Sequence, residues 1–127
     1  MNDFVKALLV GSGGFLGANA RYWLGVWIEI RAGVSFPWHT LTINATGSLI
    51  MGAFMGFSVT YDWNPGWRLF FAVGVLGGYT TFSAFSLDAM LLYERGEAMT
   101  ALFYVVGSVV LSILGLAAGL WAVRAFS

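Results

Sequence analysis

Several hydrogen-bonding side chains sit in long apolar surroundings in this sequence. Tyr104, Ser108 and Ser112 recur at i, i+4 and i+8, so on a helix they project from one face, drifting slightly around it. Each hydroxyl offers one donor, and the amide of Asn44 offers two donors and an acceptor. Serines often bond back to their own helix, so one alone means little, but three in register make a polar track. Asn44 lies one turn beyond Thr40 and serves equally as a helix–helix hydrogen bond, worth about 0.6–2 kcal/mol in a membrane. Phe82 and Phe85 are three apart. Such pairs usually pack a core, yet a ring edge is electropositive and can face an anion without holding it tightly. Weak, repeated binding is what conduction needs. Arg21 is the one charge between Lys6 and Glu29. Placed in a water-filled vestibule, it raises the local anion concentration.

The elements that carry these groups are membrane spans. The chain has 127 residues, 59% hydrophobic and 9% charged, too few charges to coat a soluble core. Asp, Glu, Lys and Arg are absent from Ala32 to Tyr61, Leu69 to Leu87 and Ala98 to Val123, and each stretch fits one crossing of a bilayer that needs about 20 apolar residues. The expected fold is an all-α membrane protein, a single domain over 1–127, with four transmembrane helices at about 4–26, 40–61, 69–93 and 100–123. The first apolar stretch is longer than a signal-peptide core and reads as a retained span. Both prolines and most tryptophans fall near span ends, as interfacial anchors and turns do.

Zero formal net charge gives no attraction to nucleic acid. No cysteine and a single histidine, His39, leave no metal cluster and no nucleophile–base pair, so an enzyme is not expected. The Gly11–Gly17 run looks like a dinucleotide turn but lacks the strand and βαβ unit that reading needs.

Four spans put both termini on one side. Lys6, Arg68 and Arg124 then oppose Arg21, Arg31 and Arg95, with no excess to set orientation. Such a balance fits insertion both ways and pairing as an antiparallel dimer, or a chance balance of few charges. The third span is the odd one. Its centre, Gly77-Gly78-Tyr79-Thr80-Thr81, is a poor helix. Either the helix breaks there, lining a cavity with free carbonyls that can hold a cation, or it continues with glycines packed on a neighbour.

Three elements, one per span, resemble the CrcB/Fluc family of fluoride channels: Gly17-Ala18-Asn19-Ala20-Arg21-Tyr22, His39-Thr40-Leu41-Thr42-Ile43-Asn44-Ala45-Thr46-Gly47, and Gly77-Gly78-Tyr79-Thr80-Thr81-Phe82-Ser83-Ala84-Phe85-Ser86. The resemblance implies a third helix broken mid-membrane and a dual-topology homodimer with two antiparallel pores. It implies passive fluoride efflux across a cell membrane, the inner one in a Gram-negative source. It places Asn44 at a pore entrance, Phe82 and Phe85 as ring edges facing fluoride, and Tyr104, Ser108 and Ser112 as the polar track. Thr40 and Ser83 join that pathway. Backbone carbonyls of Gly77 and Thr80 would hold a structural sodium ion, Na+, at the dimer centre. His39, Ala84 and Asp88 depart from the family's usual residues. Two rivals are a proton-coupled multidrug exporter of the small multidrug-resistance type, which needs a carboxylate deep in the first span, and an accessory subunit of a larger membrane complex.

Overall fold

A computed structural model describes residues 1–126. All regular structure among them is helical: α1 (Asp3–Ala32), α2 (Trp38–Thr60), α3 (Pro65–Trp67), a π-helix (Arg68–Leu76), α4 (Gly77–Tyr79), α5 (Phe82–Glu94) and α6 (Ala98–Ala125). The elements from α3 to α5 form the third of four long segments. Three segments, Trp38–Thr60, Pro65–Glu94 and Ala98–Ala125, are long and apolar enough to cross a membrane. The chain is a multi-pass membrane protein.

Helix ends follow local chemistry. Asn2 caps α1 by accepting from the Val5 N–H at 2.9 Å, and α1 runs to Ala32, past the end expected near Val26, until Gly33 takes φ 81°. Asn64 accepts from the Gly66 N–H at 2.8 Å, with Pro65 at the first helical position, where its missing N–H costs nothing. Gly96, at φ 82°, ends the turn before α6.

Small residues let the backbones meet. A Cβ built on Gly52 of α2 would stand 2.0 Å from the Leu116 carbonyl of α6, and one on Gly17 of α1 would stand 2.0 Å from the Val75 carbonyl of the π-helix. Lipid removes the hydrophobic drive between helices, so this close approach is the main source of packing energy. The pairs that result are α2 with α6, and α1 with the π-helix and α4; α5 packs on α6.

The third segment is broken. Thr80 (φ −84°, ψ 156°) and Thr81 (φ −150°, ψ 126°) are extended, a conformation that suits β-branched side chains. The break falls on the threonines rather than on Gly77 and Gly78, which stay helical. Gly78 serves packing, for a Cβ there would lie 2.8 Å from the Gly14 carbonyl. The break transfers the chain from one neighbour to another: the half before it leans on α1, the half after it on α6. The π-helix that leads into it was not foreseen, because wide turns of this kind carry no residue pattern distinct from an α-helix. They are frequent at functional sites.

Candidate functional site

Asn44, nearly two turns into α2, grips the break. Its Nδ2 donates to the Thr81 carbonyl at 2.9 Å, and its Oδ1 accepts the Thr81 N–H at 2.8 Å. One side-chain amide thus meets both backbone groups of Thr81, which lies outside the two half-helices, as buried backbone requires partners. The Thr81 N–H is thereby taken from the Gly77 carbonyl, on which it would close a turn in a continuous helix. Thr81 also caps α5, its Oγ1 accepting the Ala84 N–H at 3.1 Å. Thr80 Oγ1 donates back to the Leu76 carbonyl at 2.9 Å. From α1, Arg21 Nε donates to the Gly78 carbonyl at 3.2 Å. Gly78 lies where α4 ends, and Arg21 also lines a cavity of about 210 Å³ with Glu29, His39 and Thr40.

A groove of about 610 Å³ opens beside the break. The structure brings Asn44, Gly77, Thr80, Phe82, Phe85, Ser108 and Ser112 together on its wall, from three segments of the chain, and adds Thr81 and Ser48. No lining residue carries a formal charge. The groove offers neutral donors: a second amide hydrogen on Asn44 and the hydroxyls of Ser108 and Ser112. Ser108 is 4% exposed, and its Oγ has no hydrogen-bond partner among the described residues. It does not bond back to its own helix, as many serines do. Phe82 is 77% exposed while Phe85 is buried, their centroids 5.4 Å apart.

Three expected residues lie elsewhere. Thr40 is buried and faces the smaller cavity with Arg21. Ser83 lies beside the cap, 3.3 Å from Thr81 Oγ1. Tyr104 is 1% exposed and packs on Phe85 at 5.3 Å. Its hydroxyl donates to Asp88 Oδ2 at 3.0 Å, so the drift of an i, i+4, i+8 stripe carries it behind the aromatic wall. His39 Nε2 is 3.4 Å from Glu29 Oε1.

Sequence reasoning did not single out Thr81 as a cap, nor Tyr79 and Thr46, whose hydroxyls meet at 2.9 Å. The signal for the first was present, since Thr before an apolar run is an N-cap pattern. The second needs the fold, because 33 residues separate the pair. No group of three His, Cys, Asp or Glu side chains gathers among the described residues, so an ion at the break meets carbonyls, hydroxyls and an amide.

Residues 8–120 match the family described as CrcB-like protein, Camphor Resistance (CrcB). The chain is 52% identical over 119 residues to the fluoride-specific ion channel FluC of Rhizobium meliloti (strain 1021), covering 93% of this chain and 95% of that protein. It is 51% identical over 118 residues to the FluC of Nitrobacter winogradskyi, covering 92% and 94%. The same identity extends over 121 residues of the FluC of Rhodopseudomonas palustris (strain BisB5), covering 94% and 98%. With the match spanning nearly the whole chain, and the broken segment and its asparagine clamp inside it, the protein belongs to the CrcB-like family.

Proposed function

We propose that this protein is a fluoride-selective channel that lets fluoride leave the cytoplasm down its gradient. The observation that carries the reading is the uncharged, donor-lined groove at the break, where Asn44, Ser108 and Ser112 converge with the rings of Phe82 and Phe85. Fluoride holds its water tightly, so a pathway must replace that shell with N–H, O–H and ring-edge contacts. A buried Ser108 hydroxyl without a partner among the described residues is a donor available for that exchange. Tyr104 acts from behind the wall, Thr40 and Arg21 from the neighbouring cavity, and Ser83 beside the cap.

The rest of the unit follows from the same features. α1 is the fourth span: its 30 residues reach about 45 Å. Its lower apolarity comes from glycines and from Ser12 and Asn19, which bond back to the Leu8 and Phe15 carbonyls at 2.6 and 2.8 Å. The even split of basic residues supports an antiparallel homodimer with two pores. The released Gly77 carbonyl and the extended Thr80 fit a hard cation, which takes neutral oxygen ligands. Two carbonyls are too few for a cage, so a structural sodium would draw the others from a second copy. Its charge would offset part of the cost of an anion in a low dielectric.

The multidrug-exporter reading lacks its carboxylate, since the acids of α1 are Asp3 and Glu29, at the helix ends. An accessory subunit predicts no ion flux from the purified protein. Proteoliposomes carrying this chain alone, read with a fluoride electrode, decide the matter: fluoride release supports the channel, and its absence overturns it.

A further inference from the structure

The turn before the break carries a hydroxyl pair that no pathway residue uses. Tyr79 Oη and Thr46 Oγ1 are 2.9 Å apart. Thr46 has a single hydroxyl hydrogen, and its oxygen lies 2.7 Å from the Thr42 carbonyl and 3.2 Å from the Ile43 carbonyl. Carbonyls only accept, so that hydrogen is committed to the backbone of α2. Tyr79 is therefore the donor across the pair. The rest of Tyr79 is wedged between two glycines. A Cβ on Gly47 of α2 would stand 3.0 Å from Tyr79 Cδ2 and 2.3 Å from Thr80 Cγ2, and one on Gly17 of α1 would stand 2.9 Å from the Tyr79 nitrogen.

α2 thus holds the break at two points, by Asn44 on Thr81 within it and by Thr46 on Tyr79 before it. We infer that Tyr79 and Thr46 are a positioning pair that fixes the end of the first half-helix, and through it the groove wall at Thr80 and Thr81. This rests on the fluoride-pathway reading above and adds two residues to it. If the phenol leaves Thr46, α4 can turn about its axis, and Asn44 alone must hold the extended residues.

Three substitutions test the pair. Tyr79→Phe keeps the ring and its wedge but removes the donor, Thr46→Val keeps volume and branching but removes the acceptor, and Thr46→Ser keeps the acceptor. Amide hydrogen exchange across residues 80–82 in detergent should speed up about three- to tenfold in the first two, the range for one net hydrogen bond. Their double variant should exchange no faster than either single, because they remove one shared interaction, and Thr46→Ser should match the parent. Fluoride efflux from proteoliposomes should fall in the same order and be retained by Thr46→Ser. Unchanged exchange in Tyr79→Phe, multiplying effects in the double variant, or equal losses in the Val and Ser variants would overturn the pair. So would loosened exchange with parental efflux, as far as the pathway is concerned. Exchange is read without transport: a parent that protects these amides but releases no fluoride removes the channel reading and leaves the pair standing. If Thr46→Val fails to fold, Tyr79→Phe and Thr46→Ser carry the test.

Discussion

Replacing Asn44 with Asp changes one nitrogen to oxygen at the point where the break is held. Thr81 N–H still finds an acceptor 2.8 Å away, but the group 2.9 Å from the Thr81 carbonyl becomes an oxygen instead of a donor. Setting acceptor against acceptor costs about 1–3 kcal/mol of local stability. The new charge acts on permeation as well. At an effective dielectric of about 20, a carboxylate about 5 Å from a passing anion repels it by about 3 kcal/mol, about a hundredfold in rate. The neutral acid behaves differently, for its O–H can donate to the Thr81 carbonyl and restore both bonds. The charged form prevails above the pKa of the new carboxyl, so fluoride-electrode efflux should be lowest at high pH and recover as pH falls. Asn44→Ala loses both bonds but adds no charge, so its efflux should drop less and show no recovery. If Asn44→Asp at pH 8 releases fluoride within about threefold of the parent, or if the Ala variant matches it across the pH range, the assignment of Asn44 fails.

Other substitutions separate pathway from scaffold. Phe82 is 77% exposed and meets another ring only at Phe85, so Phe82→Ile should keep the fold while lowering fluoride efflux about three- to tenfold, the worth of an aromatic contact. Ser108→Ala removes a buried hydroxyl that has no hydrogen-bond partner among the described residues; thermal unfolding in detergent should show no loss of stability, while efflux falls. Gly52→Ala puts a Cβ 2.0 Å from the Leu116 carbonyl and should destabilise by about 1–3 kcal/mol or more, whereas Gly107→Ala, with nothing within 4 Å, should be neutral or stabilising in the same unfolding assay.

How much of this was legible in the sequence varies with the physics behind each feature. The helices were, because long charge-free stretches between turn residues are a local signal, and only the ends moved. α1 reads as less apolar than its neighbours because residues such as Gly13 and Gly17 are spent on close approach rather than on lipid contact. The break was legible as a weak point spanning Gly77, Gly78, Thr80 and Thr81. That the threonines turn extended while the glycines stay helical was not, because it depends on Asn44, 37 residues from Thr81 in sequence. Asn44, Phe82, Phe85, Ser108 and Ser112 were readable from type and spacing and share one groove. Tyr104 followed the same spacing but turned into the core, where Asp88 receives its hydroxyl. Tyr79 and Thr46 could not be read, since a tyrosine and a threonine on different spans have no sequence relation.

Selective passage of fluoride along the groove at the break can be measured directly. Proteoliposomes containing the purified chain, loaded with equal fluoride and chloride and opened to potassium by valinomycin, measure it in one experiment. Rapid fluoride release with chloride retained is the expected result. Release of both halides at similar rates, or of neither, would contradict it.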